Sequence, residues 1–380
     1  MKILHLSDLH LGKKVNEFPM LRDQQYILNQ ILSIANNEKP DCVIIAGDIY
    51  DRATPSAEAM QVFDDFLFSL SEKRLPVFII SGNHDMAERI SFGGRLMTSS
   101  NIYIAPVFDG EIMPVELNDE YGNINFYMIP FIRPFNVRKF FPDEKIVSYT
   151  DAMKKVIGSM NINPECRNIL ITHQFITGAS LSESEELLVG GTENIDADVF
   201  SDFDYVALGH IHRPQNVKGK KIRYCGSPLK YSMKESNQQK SVTIAELCEK
   251  GNLDIRTVPL VPERDMKVYK GTYKEITSPD FYKNINTDDY IFITLTDEED
   301  IPDAHRKLKK IYPYMMQLSY DNSRTRNRTV IKSDIRNEEL QPIQLFTEFY
   351  ESQCNHEMNS EQYDFVNNLI REIWNGDENS

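Results

Sequence analysis

Seven side chains scattered from Asp8 to His212 are of the kinds that hold divalent cations: Asp8 and His10, Asp48, Asn83, His173, and His210 with His212. In an extended segment residues i and i+2 point to the same side, so Asp8 with His10, and His210 with His212, are each expected to face one point. On a helix that spacing would splay them. The two oxygens of Asp48 suit a bridge between ions, the Asn83 amide adds a neutral oxygen, and His173 adds an imidazole. The expected sets are Asp8, His10, Asp48 and His212 for one ion, and Asp48, Asn83, His173 and His210 for a second. Two divalent ions against two carboxylates leave positive charge for a phosphodiester anion. Ions ~3.5–4 Å apart can acidify water and stabilise both the attacking and the leaving oxygen. Carboxylate, amide and imidazole without thiolate suit Mn²⁺, with Fe or Zn as alternatives. Mg²⁺ fits less well, being too hard an ion for imidazole. His84 is expected to touch a phosphate oxygen and protonate the leaving alkoxide, oriented by Asp85 or Asp51. Any one of these residues alone reads as an ordinary core or surface residue, and the ordered set carries the signal.

What must position them is a series of short apolar runs, each ending in one of these clusters. Ile3–Leu6 leads into Ser7-Asp8-Leu9-His10, Cys42–Ala46 into Gly47-Asp48, and Val77–Ile80 into Ser81-Gly82-Asn83-His84-Asp85. Ile169–Thr172 stops at His173, and Tyr205–Leu208 at Gly209-His210-Ile211-His212. Such runs suit strands buried on both faces. Between them lie helical patterns, one with Tyr26, Ile27, Ile31 and Ile34 on a face, the next with Met60, Phe63, Leu67 and Leu70 after Pro55-Ser56. Strand–helix alternation predicts an α/β layered core, with ligands beyond the carboxyl ends of the strands. His5, inside an apolar run, is expected to be packed, and His305 and His356 to be solvated.

The chain has 380 residues, with 42 Lys and Arg against 57 Asp and Glu, for a net charge of −15. That length predicts two to three domains. The charge argues against a histone-like DNA coat while allowing a local basic groove. Five cysteines without CxxC spacing fit a reducing compartment. The start reaches charged residues too soon for a signal peptide, and no apolar run approaches the ~18 residues of a membrane span. The expected location is the cytoplasm. Gly190-Gly191-Thr192 reads as a turn, because no G-x-x-x-x-G-K-[ST] occurs anywhere. The polypeptide is therefore not expected to be a P-loop ATPase by itself.

The ordered motifs D-x-H, G-D-x-x-D, G-N-H-D, a single His and G-H-x-H resemble those of the calcineurin-like metallophosphoesterases. The forms HLSDLHLGKK, AGDIYDRATPS, ISGNHD and LGHIHRPQ, with Tyr224-Cys225-Gly226-Ser227-Pro228, are similar to the branch that serves bacterial SbcCD-type complexes. The likeness is strongest over residues 1 to about 235, and every metal-ligand position of the family is filled. Some members carry a second catalytic histidine where Asp51 stands. The resemblance implies a core of two sheets flanked by helices over residues 1–265. It also implies a smaller α+β capping domain over 266–335 and C-terminal partner-binding helices over 336–380. It further implies a Mn²⁺-dependent nuclease of DNA repair and recombination, an exonuclease on duplex ends and an endonuclease on single strands and hairpins. The implied partner is an SbcC-type ATPase with long coiled coils, with two copies of each chain in a heterotetramer. The alternatives are action on a phosphoprotein or small phosphodiester, or a non-catalytic scaffold.

Lys13, Lys14, Arg52, Arg89, Arg133 and Arg213 lie in or near the motif loops and are candidate DNA contacts. Residues 305–332 hold eight bases, Arg324 and Arg326 among them, against one acid, Asp321. That run reads either as a phosphate contact or as a solvated face. From Arg336 onward there are ten acids and two bases. Apolar stripes there (Ile343, Phe346, Phe349, Tyr350, then Phe365, Leu369, Ile370, Ile373) fit helices docking on a partner or on the protein's own core, the second capped by Asn359 or Ser360.

Overall fold

Each of the five apolar runs becomes a strand. Three stop just before their polar clusters, while the strand Arg167–His173 ends on His173 and the strand Tyr205–Gly209 on the first residue of its cluster. The structure, a computed structural model, describes residues 1–180, 194–326, 343–344, 346–347, 350 and 358–376. Gly190-Gly191-Thr192, His356, Phe349 and the expected boundary at 335/336 lie outside the described residues.

The first sheet contains β1 (Lys2–Leu6), β4 (Cys42–Ala46), β5 (Val77–Ile80), β6 (Ile102–Ile104), β13 (Ser241–Leu247) and β14 (Leu253–Pro259), in the order β14-β13-β1-β4-β5-β6. β1, β4, β5 and β6 are parallel; β13 pairs antiparallel with β1, and β14 antiparallel with β13. The second sheet contains β7 (Val115–Asp119), β8 (Gly122–Ile129), β9 (Arg167–His173), β10 (Tyr205–Gly209), β11 (Gln215–Val217) and β12 (Ile222–Tyr224). Its order is β11-β12-β10-β9-β8-β7, parallel from β12 to β8. A two-stranded ribbon, β2 (Lys14–Val15) with β3 (Phe18–Pro19), follows the first motif loop.

The sheets face each other. Ile3, Ile44, Ala46, Phe78 and Ile80 of the first share a core with Phe126, Met128, Ile169, Ile171 and Ala207 of the second. Phe78 stacks on Phe126 across it, centroids 4.2 Å apart, a pair worth about 0.5–1.5 kcal/mol beyond its burial. Alternate residues such as Leu4, Val43, Ile45 and Ile79 point outward and are equally buried, as strands covered on both faces require. His5 is buried, its Nδ1 2.8 Å from the Tyr205 hydroxyl, and burial drives its pKa down to about 3.

Helix α1 (Leu21–Glu38) buries Gln24, Ile27, Leu28, Ile31, Ile34 and Ala35. Tyr26, expected on that stripe, is 42% exposed, because one step from Ile27 turns it about 100° away. Helix α2 (Ala57–Glu72) starts at Ser56, whose Oγ accepts from Ala59 N, and buries Phe63, Phe66, Leu67 and Leu70. Met60, expected with them, lies outside the stripe and is 39% exposed.

The described residues form two compact units, Met1–Met266 and Lys267–Ser380. The second is α+β. A sheet of β15 (Met266–Gly271), β16 (Tyr290–Leu295) and β17 (Met315–Tyr320) carries a core of Ile276, Ile291, Ile293, Leu295, Ala304, Leu308, Tyr312 and Met315. A short helix, Ala304–Lys309, packs Ala304 and Leu308 into that core. Tyr312 beyond it is buried, its hydroxyl donating to Ile276 O. His305 is exposed. Helix Ser360–Gly376 is capped by Asn359, whose Oδ1 accepts from Gln362 N while Gln362 Oε1 accepts from Asn359 N. No helix among the described residues is long and apolar enough to cross a membrane.

Candidate metal centre

The cluster residues converge by a route that strand alternation does not describe. β1 ends at Leu6 and β10 at Gly209, so neither His-bearing pair sits in extended backbone. Asp8 (φ 54°), His10 (φ 45°) and Asp48 (φ 48°) take left-handed conformations, and His210 has φ 100°. Such backbone costs of order 1–3 kcal/mol per residue and persists only where its surroundings over-determine it. Here neighbouring loops do so. Asp8 N donates to Gly47 O and His10 N to Asp48 O, both at 3.0 Å. His210 N donates to Asp8 Oδ1 at 3.0 Å, and His84 N to Asp48 Oδ1 at 2.9 Å. The loops touch so closely that a Cβ on Gly82 would collide with the Asp48 carboxylate, and one on Gly209 with Ala46 O.

The expected residues come together at these strand ends. His10 Nε2 lies 3.1 Å from His212 Nε2 and 3.7 Å from Asp48 Oδ2. His173 Nε2 lies 3.3 Å from Asp48 Oδ2 and 4.0 Å from Asp8 Oδ1. Asn83 Oδ1 is 3.1 Å from His173 Nε2 and 3.0 Å from His210 Nδ1. Asp48 thus stands between a His10/His212 side and a His173/His210/Asn83 side. Asp8, His10, Asp48, His173 and His212 are buried.

This donor set fits divalent cations. Asp8, His10 and His212 offer ligand atoms within 4.8 Å of one another, and so do Asp8, Asp48 and His173. The outer nitrogens are already committed. His173 Nδ1 donates to Ala46 O at 2.8 Å, and His212 Nδ1 lies 3.2 Å from Glu235 Oε1. With Nδ1 donating, a neutral imidazole presents its Nε2 lone pair inward, so His173 and His212 aim electron pairs into the cluster. Protonation follows the same field. Burial works against a charged His173, yet the Asp48 carboxylate holds its pKa up at about 9. Burial likewise opposes a charged His212, and the Glu235 hydrogen bond raises it, whereas burial holds His10 well down. Burial pushes the Asp48 carboxyl up, but the His173 imidazole outweighs it and holds the group well below the carboxylate range. The pocket therefore favours positive charge on His173 and His212 and disfavours it on His10 and, through burial, on His210, whose pKa is pushed down to about 3.

His84 is exposed at the rim, its ring centroid 4.8 Å from that of His10. The two acids expected to orient it act otherwise. Asp51 reaches His84 Nδ1 through its backbone carbonyl, at 3.0 Å, while its carboxylate accepts from Lys13 Nζ at 2.7 Å. The Asp85 carboxylate accepts from the backbone N–H groups of Ile49, Tyr50 and Gly82. It therefore ties the Asp48 loop to the Asn83 loop and does not orient the His84 ring. Burial, reinforced by the Asp48 carboxylate, pushes the Asp85 pKa up to about 6 against those three bonds.

Two buried residues that sequence spacing gives no hint of complete the support. Glu235 sits between His212 and Lys240, whose Nζ lies 2.6 Å from Oε2 and also donates to His212 O. Gln24 reaches from α1 into the first loop, donating to Leu9 O and His10 O and accepting from Gly12 N. The Tyr224–Pro228 segment braces the same region, Ser227 N donating to His212 O.

Among the basic candidates, Lys13 is paired with Asp51, and Arg52 is 80% exposed with Nε 3.8 Å from that acid. Lys14, Arg89, Arg133 and Arg213 are exposed. In the second unit Arg324 makes a two-pronged pair with Asp300, and Arg326 pairs with Asp321. Asp300 lies just before the 305–332 run, so a count over that run overstates its free positive charge.

Residues 1–214 match the family described as calcineurin-like phosphoesterase, and residues 262–353 the one described as type 5 capsule protein repressor C-terminal domain. The SbcD nuclease subunit of SbcCD from Staphylococcus epidermidis is 34% identical over 97% of this chain and 98% of its own length. A dimetal phosphatase from Danio rerio overlays 68% of this chain and 95% of its own at 10% identity, with a TM-score of 0.43. The protein TT1561 of Thermus thermophilus overlays 67% of this chain and 98% of its own at 11% identity, with a TM-score of 0.36.

Proposed function

This chain belongs to the calcineurin-like phosphoesterase family, among the SbcD-type nuclease subunits, and from that premise we propose that it cleaves DNA phosphodiesters at the Asp8–His212 cluster. It is a hydrolase that works with divalent metal ions. The finer reading is an exonuclease on duplex ends and an endonuclease on single strands and hairpins, with manganese as the metal. The observation that carries the site is the meeting of His10 Nε2 and His212 Nε2 at 3.1 Å in a buried pocket with two carboxylates.

Asp8, His10, Asp48 and His212 would hold one ion, and Asp48, Asn83, His173 and His210 the other. When bound, such ions polarise the phosphodiester and acidify the attacking water. His84 contributes from the rim. With Nδ1 donating to Asp51 O, its Nε2 is presented to solvent, where the protonated ring can bond a phosphate oxygen and release its proton to the leaving alkoxide. Exposed Lys14, Arg89 and Arg213 surround the same loops and suit the DNA backbone. The paired state of Arg324 and Arg326 gives them a smaller share.

The unit over 266–335 serves as a cap, and the acidic segment 336–380 docks an SbcC-type ATPase, with two copies of each chain in the cytoplasmic complex. Exposed Phe365 and Leu369 on helix Ser360–Gly376 support that docking. The test is to incubate the purified chain, alone and with its ATPase partner, with Mn²⁺ and labelled duplex or hairpin DNA. Cleavage is expected; none, together with turnover of a phosphoprotein, would move the assignment to a phosphatase.

A further inference from the structure

A cleft of about 370 Å³ opens beside the metal cluster, and Asn83 lines it. That volume falls within the ~300–1,000 Å³ of ordinary ligand clefts. Its other walls include Phe131, Arg133, Asn136 and Glu88. The Phe131 ring stands edge-on to His173, centroids 6.4 Å apart, so the cleft adjoins the place a scissile phosphate would occupy. The Arg133 guanidinium lies over the Phe131 ring, 5.4 Å from its centroid, on an exposed side chain. The platform is held in place: Phe131 N donates to Ser81 O, Gln174 Nε2 donates to Ile132 O, and Arg133 N donates to Asn136 Oδ1.

None of the proposed metal chemistry uses Phe131 or Arg133. A half-buried ring under a planar cation is instead what an unstacked base requires. Aromatic and guanidinium faces accept any base by stacking, whereas a lysine would supply charge alone. We infer that this cleft is a nucleobase subsite, in which the base next to the scissile phosphate leaves its stack and lies on the Arg133–Phe131 platform. A base held in a duplex stack cannot enter it, so the subsite would favour frayed or single-stranded nucleotides. The inference rests on the DNA-cleaving reading above.

The test crosses two changes on the full chain with Mn²⁺. Phe131→Leu and Arg133→Lys are each assayed on an oligonucleotide with a normal base, and on one with an abasic nucleotide, beside the cleaved bond. The unsubstituted protein is also given methyl p-nitrophenyl phosphate, which has no base. Stacking of this kind predicts that base removal slows the unsubstituted protein by about ten-fold. Each substitution should raise KM by about ten-fold on the normal strand and by less than about two-fold on the abasic one. Equal losses on both strands, full retention in Arg133→Lys, or indifference of the unsubstituted protein to base removal would each overturn the subsite. Turnover of the methyl ester without cleavage of any DNA would overturn the nuclease reading itself and the subsite with it.

Discussion

Glu235 Oε1 lies 3.2 Å from His212 Nδ1, on the ring edge opposite the nitrogen that faces His10. A buried carboxylate on the outer nitrogen fixes the tautomer and strengthens the inner one as a ligand. Glu235→Gln is therefore expected to weaken Mn²⁺ binding by about 10–100-fold, with cleavage recovering at saturating metal. Calorimetric titration with Mn²⁺ checks this, and unchanged affinity would show that Glu235 only packs. Glu235→Ala should cost about 3–5 kcal/mol of stability, because Lys240, with its side chain 4% exposed, would lose the carboxylate that balances its charge.

Gln24 makes three bonds to the loop that carries Asp8 and His10. Gln24→Leu keeps the bulk and removes all of them. It should lower stability by about 2–4 kcal/mol, the cost of leaving buried backbone groups unpaired, and should also reduce metal occupancy. Thermal unfolding and metal analysis of the same preparation check both; a loss of stability with full occupancy would separate the helix contact from the site.

His84 is bonded to the site through its backbone N–H and its Nδ1, and its ring is exposed. His84→Ala is expected to retain the metals while losing about 10²–10⁴-fold in cleavage rate. Elemental analysis beside the rate measurement checks this, and loss of metal would make His84 a ligand.

Removing residues 340–380 should abolish co-purification with the ATPase while leaving metal content unchanged, because the site lies within the Met1–Met266 unit. Pull-down with tagged ATPase checks it; undiminished capture would place the docking surface elsewhere.

Much of this architecture is legible in the chain because buried parallel strands must be continuously apolar. A polar group directly after such a strand has only the sheet's edge to occupy. Ile3–Leu6 before Asp8, and Ile169–Thr172 before His173, announce themselves in that way. Other features depend on tertiary context. The positive φ at Asp8, His10, Asp48 and His210 is imposed by loops distant in sequence and leaves no local mark. Glu235 and Gln24 reach the site from elements with no metal-ligand spacing. Charge counting is blind to pairing, so Arg324 and Arg326 look free until Asp300 and Asp321 meet them. Tyr26 and Met60 sit at the margins of their helical stripes, where a one-residue step separates core from solvent.

Cleavage as proposed requires the seven side chains from five strand ends to hold two cations. Anomalous diffraction from manganese-soaked crystals tests it most directly. Two peaks per chain are predicted, one among Asp8, His10, Asp48 and His212, the other among Asp48, Asn83, His173 and His210. Absence of both peaks at saturating manganese, or metal held by other residues, would contradict it.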